Sequence, residues 1–183
     1  ALSFIAPANM IRLVGAKPVL VDIENGTWAI NPDKIIEKIT DKTKAIIVVH
    51  PFGHSANMDE ILRVSEEFGL KIIEDVAEAP GAYYNGKLLG TFGDISCFSF
   101  FANKIITTGE GGMVLTSDKK ISEKLIILRD HGMSSKKKYV HILPGFNYRM
   151  TNMQAAIGLA QLNRFEKTLT KREKQIELYK KFF

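Results

Sequence analysis

Residues 45–75 read AIIVVHPFGHSANMDEILRVSEEFGLKIIED, and this stretch decides the fold. Ala45 to Val49 is a short run, β-branched from Ile46 onward and apolar at every position. A strand apolar on both faces is the mark of a buried parallel sheet. Met58 to Phe68 changes period. Ile61, Leu62, Val64 and Phe68 are apolar while Asp59, Glu60, Glu66 and Glu67 are charged, which predicts an amphipathic helix. Gly69 ends it, since glycine takes the left-handed cap at no steric cost. Leu70-Lys-Ile-Ile-Glu-Asp75 then returns to a strand. Strand, helix and strand joined by short loops give a parallel pair with a right-handed crossover.

Outward from this unit the pattern continues. Lys17 to Asp22 reads as a further strand, and Asn31-Pro32-Asp33 starts a helix, with Asn31 as cap and Pro32 at its first position. Downstream, short β-rich segments are expected at Ala82–Tyr84, Ile95–Phe100 and Gly112–Thr116. Helices are expected at Lys120–Arg129, Met153–Phe165 and Thr170–Phe183. The fold class is therefore α/β, a mostly parallel sheet with helices on both faces.

Composition narrows the function. The 183 residues are 45% hydrophobic and 25% charged, an ordinary globular balance that excludes global disorder. One cysteine, Cys97, excludes an internal disulfide framework and any multi-cysteine zinc site. Four scattered histidines form no ligand cluster, so no metal is expected. No apolar run is long enough for a membrane helix, and no signal segment opens the chain. These features fit a cytoplasmic setting without a membrane partner. The net charge of +5 is dispersed and carries no nucleic-acid module, so no nucleic acid is expected. Lys136-Lys137-Lys138 reads as a solvated loop, or as a basic patch that draws a diphosphate. The chain begins at Ala1 and ends at Phe183 inside a helical pattern, which leads us to expect a piece of a longer protein.

In an open parallel α/β sheet, ligands bind outside the carboxyl ends of the strands. Asp75 stands at such an end, before the small-residue turn Val76-Ala-Glu-Ala-Pro-Gly81. It caps that turn, or it is a carboxylate that pairs with a cation. Lys104 stands between the aromatic strand Phe98-Ser-Phe-Phe101 and the Gly-rich turn Thr107-Thr-Gly-Glu-Gly-Gly-Met113. A desolvated lysine amine is a nucleophile toward carbonyls. A lysine and a strand-end carboxylate together suit pyridoxal phosphate: the lysine binds its aldehyde and the carboxylate holds the ring nitrogen protonated.

Several segments carry a resemblance to a known family. They are Asp75 to Ala79, Gly90-Thr-Phe-Gly-Asp-Ile-Ser-Cys-Phe-Ser-Phe-Phe-Ala-Asn-Lys104, Thr107 to Met113, and Lys42 to Ile47 with His50 and Gly53. The pair His131-Gly132, Gly145-Phe-Asn-Tyr-Arg-Met150 and Gln154-Ala-Ala-Ile-Gly-Leu159 add to them. From Ser3 to about Leu162 the chain resembles the DegT/DnrJ/EryC1/StrS family of pyridoxal-phosphate-dependent nucleotide-sugar aminotransferases.

The resemblance implies the large domain of the aspartate-aminotransferase-like fold, here incomplete. Residues 1–165 would be the cofactor-binding domain, lacking its N-terminal part. Residues 166–183 would begin the helix toward a missing C-terminal domain. Such a piece alone would be inactive or nearly so.

It also implies roles. Lys104 would be the Schiff-base lysine and proton carrier. Asp75 would pair with the pyridine nitrogen. Glu78 stands where many members have Gln to contact the ring hydroxyl. Ser99 would bond the cofactor phosphate, and Phe4 would stack on the ring. Asn147 would reach the phosphate of a neighbouring subunit, which makes a homodimer with a shared site the expected assembly. His50 and His131 either face the site or are packed and capping residues.

The implied reaction moves an amino group from L-glutamate, leaving 2-oxoglutarate, to a nucleotide-linked keto sugar. Phe52-Gly-His54 and the runs Glu74 to Ala79 and Thr91 to Ser96 point to the members that use GDP-4-keto-6-deoxymannose, for surface polysaccharide such as the O-antigen of lipopolysaccharide. A UDP- or dTDP-linked keto sugar is the alternative. A regulatory relative that binds the cofactor without turnover is the second alternative.

Overall fold

The computed structural model describes residues 1–183. Its strands are β1 (Ala45–Val49), β2 (Lys71–Asp75), β3 (Tyr83–Tyr84), β4 (Lys87–Leu88), β5 (Ile95–Ser99) and β6 (Gly112–Leu115). Its helices are α1 (Ala6–Leu13), α2 (Pro32–Ile36), α3 (Met58–Phe68), α4 (Lys119–Leu128), α5 (Asn152–Leu162) and α6 (Phe165–Phe182). The main sheet has the order β1-β2-β5-β6, and β3 with β4 forms a separate hairpin. The β1–β2 and β2–β5 pairs are parallel, with Val49 opposite Asp75 and Asp75 opposite Cys97.

The decisive stretch folds as expected. Asn57 caps α3 by accepting the Glu60 N–H at 3.3 Å, and Gly69 closes it at φ 63°. Met58, Ile61 and Val64 share one face and are fully buried. They join Ile46 and Val48 of β1, Ile72 of β2 and Ile35 of α2 in one core. Each such side chain contributes roughly 1.5–3 kcal/mol by leaving water. The strands alternate, however. Ile46 and Val48 are buried, whereas Ile47 and Val49 are only half-buried, so one face of the sheet carries this core.

Other expectations shift. No strand forms at residues 17–22; Val19 and Leu20 are exposed, and the nearest pairing is the isolated bridge Ile23–Ile30. A strand exists only through a neighbour's backbone, and pairing along this run goes no further than the Asn31 N–H donating to the Asp22 carbonyl at 3.0 Å. The helix capped by Asn31 ends at Ile36, and α6 starts at Phe165 instead of Thr170. Helix α1, which buries no residue, was not foreseen.

Two compact units result, Ala1–Phe98 with Val114–Lys124, and Ser99–Met113 with Leu125–Phe183. The first holds the core just described. In the second, α5 opens with a capping box: Thr151 Oγ1 accepts the Gln154 N–H, and Gln154 Oε1 accepts the Thr151 N–H. No helix is long and apolar enough to cross a membrane.

Candidate active site

In the first unit, β2 ends at Asp75, which is half-buried. Its Oδ1 accepts the Ala77 N–H at 3.0 Å, so it does cap the turn. Burial, and then the nearby Asp75 charge, push the Cys97 thiol above its ordinary pKa. Glu78 is exposed, and its Oε2 accepts the Phe52 N–H at 2.9 Å. That bond holds a strained turn: Phe52 sits at φ 55° and meets Trp28, itself at φ 59°, edge-on at 5.6 Å. A bulky residue at positive φ costs on the order of 1 kcal/mol or more, so the turn needs such an anchor. Phe4 lies just before α1 and is 76% exposed, which removes core packing as its role.

The residue before Asp75 was missed by sequence reasoning. Glu74 is fully buried, on the same face of β2 as Ile72. Its Oε1 accepts the N–H groups of Phe92 and Gly93, each at 2.7 Å. Its Oε2 accepts the Gly90 N–H at 2.7 Å and faces His50 Nε2 at 3.3 Å. Burial alone would raise this carboxyl's pKa, but the bonds from His50, Gly93, Gly90 and Phe92 outweigh burial and hold it below its ordinary value. His50 is thus a packed histidine, fully buried. The signal available in the sequence was period two: a charge on the face of Ile72 must be paired.

In the second unit, Ser99 is the last residue of β5, and its Oγ accepts the Phe101 N–H at 3.2 Å, leaving the hydroxyl proton to donate. Lys104 is half-buried, at the end of a turn in which its N–H donates to the Phe101 carbonyl at 3.0 Å. Two glutamines of α5 hold the segment that follows. Gln161 Oε1 accepts the Thr107 N–H at 3.0 Å, and its amide donates to the Thr107 carbonyl. Gln154 donates to the Glu110 carbonyl at 2.9 Å. Asn147 is exposed and pairs with Asp130 in an isolated antiparallel bridge. A cavity of about 420 Å³ in this unit is lined by Ile105, Gln161, Arg164, Lys167, Thr168 and Lys171, and it holds none of the candidate residues.

The candidates therefore divide: Phe4, Asp75 and Glu78 lie in the first unit, and Ser99, Lys104 and Asn147 in the second. As a donor set they fit pyridoxal phosphate. A half-buried carboxylate can accept a ring N–H, a half-buried amine can take an aldehyde, and a hydroxyl with a proton to spare can meet a phosphate oxygen.

Comparison with known proteins identifies relatives of the whole chain. The chain is 47% identical over 180 residues to GDP-perosamine synthase of Escherichia coli O157:H7, covering 98% of this chain and 50% of that protein. It is 49% identical over 179 residues to GDP-perosamine synthase of Caulobacter vibrioides, covering 98% and 48%. A UDP-N-acetyl-3-dehydro-alpha-D-glucosamine 3-aminotransferase of Acidithiobacillus ferrooxidans is 46% identical over 160 residues, covering 87% and 43%. Among solved structures, Spr1654 of Streptococcus pneumoniae in its PLP form superposes with a TM-score of 0.90 at 30% identity, covering 98% of this chain and 51% of that one. The chain spans about half the length of the curated relatives it matches. The model of the DegT/DnrJ/EryC1/StrS aminotransferase family matches residues 1–183, and the chain belongs to that family, whose aminotransferases depend on pyridoxal 5′-phosphate.

Proposed function

We propose that this chain is the cofactor-bearing part of an aminotransferase that moves the amino group of glutamate to a nucleotide-linked keto sugar, GDP-4-keto-6-deoxymannose. The observation that carries this reading is the 47–49% identity to two GDP-perosamine synthases over nearly all of the chain. The presence of both Lys104 and Asp75 supports turnover over a purely regulatory role.

When bound, pyridoxal phosphate supplies an electron sink for the carbanion formed at Cα of the amino donor. The chain's own residues do the rest. Asp75 would accept the hydrogen bond of the ring nitrogen, and its negative charge would favour the protonated form of that nitrogen. Lys104 Nζ takes the proton from Cα of glutamate, and in the second half-reaction returns one to the sugar carbon that receives the amine. Ser99 would donate to a phosphate oxygen, Phe4 would stack on the ring, and Glu78 would contact the ring hydroxyl. Asn147 reaches the phosphate in a second subunit, so the working form is a homodimer. Residues 1–165 belong to the cofactor-binding domain, and 166–183 lead toward a second one.

The test uses the full-length protein. Pyridoxal phosphate, glutamate and keto sugars linked to GDP, UDP or dTDP are supplied, and 2-oxoglutarate and amino sugar are measured. Amination of the GDP sugar is expected, and Lys104→Ala abolishes it. Preference for a UDP sugar would establish the second reading, which the 46% identity to a UDP-sugar aminotransferase favours. No bound cofactor, or no response to glutamate, would overturn both.

A further inference from the structure

Glu74 and His50 are fully buried and take no part in the chemistry just described. Together they account for a motif that this chemistry leaves unexplained, Gly90-Thr-Phe-Gly93. The turn aims three backbone N–H groups at the Glu74 carboxylate, each at 2.7 Å. Only glycine allows that approach. A Cβ on Gly93 would stand 2.8 Å from the Ile72 carbonyl oxygen, and one on Gly90, at φ +88°, would stand 2.8 Å from the Phe98 ring. Successive N–H groups curved around an anion form a nest, and here the anion is the protein's own.

His50 completes the nest. Its Nδ1 accepts the Ala56 N–H at 3.2 Å, which assigns the proton to Nε2 and makes His50 the donor to Glu74. The same residue's backbone N–H donates to the Asp75 carbonyl at 3.2 Å. From the other side, the Val76 N–H donates to the Cys97 carbonyl at 2.9 Å. Strand alternation turns the Asp75 side chain to the face opposite Glu74. The backbone that carries Asp75 is thus pinned on both flanks, and the Glu74 nest sets its depth.

We propose that His50 and Glu74 are positioning residues that fix where the Asp75 carboxylate sits, and so how tightly the protein holds the cofactor ring. This rests on the reading that Asp75 pairs with the ring nitrogen. Displacing a positioned group by about 1 Å costs on the order of 100-fold in function, so an effect of roughly 10–100-fold is expected.

The experiment titrates pyridoxal phosphate into the full-length apoprotein. It records affinity, and the pH midpoint of the bound cofactor's visible absorbance, for the parent and for Asp75→Asn, His50→Leu and His50→Gln. His50→Leu, folded by circular dichroism, is expected to weaken binding roughly 10–100-fold and to move the midpoint. His50→Gln keeps one acceptor and one donor, and is expected to restore most of both. A role in stability alone would lower the melting temperature and leave affinity and midpoint unchanged. That result, with Asp75→Asn impaired, overturns the proposal and spares Asp75. An Asp75→Asn variant that binds and titrates like the parent overturns the Asp75 reading itself. If His50→Leu does not fold, His50→Asn, too short to span to Glu74, is judged by the same two readouts.

Discussion

Glu74→Gln is the most informative single change in the first unit. The amide keeps the shape of the carboxylate but not its acceptors. Its oxygen can still serve Phe92 and Gly93, which bond Oε1 in the parent. Its NH₂ then faces two donors, the Gly90 N–H at 2.7 Å and His50 Nε2 at 3.3 Å. His50 cannot relieve this by moving its proton, because Nδ1–H would then oppose the Ala56 N–H. At least two buried donors lose their partner, at about 1–3 kcal/mol each, so a loss of about 2–6 kcal/mol is expected.

Urea unfolding near pH 7, followed by circular dichroism, measures it. The sign with pH follows from the lowered carboxyl. Its pKa in the folded chain lies below the ordinary 4.5, so the unfolded chain takes the proton first. The contribution is complete above about pH 4.5 and is lost as pH falls through the folded value. The gap between parent and variant should therefore be constant near neutrality and close on acidification. A loss under about 1 kcal/mol, or a gap that widens in acid, would refute the reasoning.

Two further changes probe the rest of the chain. Ser96 Oγ is buried without a hydrogen-bond partner, so Ser96→Ala is expected to be neutral or to add up to about 1 kcal/mol in the same unfolding assay; a loss of that size would contradict it. Gln161→Leu removes both bonds to Thr107 and is expected to cost about 1–3 kcal/mol and to speed amide exchange at Thr107, and unchanged protection there would show that the clamp is unimportant.

The central crossover was legible because its signals are local. The cap at Asn57, the apolar face of α3 and the glycine at its end each need only neighbours in sequence. Residues 17–22 misled because a strand is defined by a partner that may be anywhere in the chain, and a short apolar run cannot supply one. Helix α1 is amphipathic yet buries no residue, so its apolar face marks no part of the core. Among the candidate residues, Asp75 and Lys104 could be singled out from their settings at the end of a strand and in a loop. The Glu74 nest could not, since its backbone donors stand 16 to 19 positions away and a backbone N–H leaves no mark on residue type except where glycine is required.

That requirement has a bearing on how this sequence can drift. Glu74 accepts from His50, Gly90 and Gly93, and a Cβ at either glycine would meet a neighbour at 2.8 Å. Replacing one strands the rest, so the second replacement costs far less than the first, and the two penalties do not add. Change at these four positions is therefore easier as a set than singly. A lineage could exchange the charged nest for an apolar one of equal volume, with the first step at Glu74 carrying the larger share of the loss.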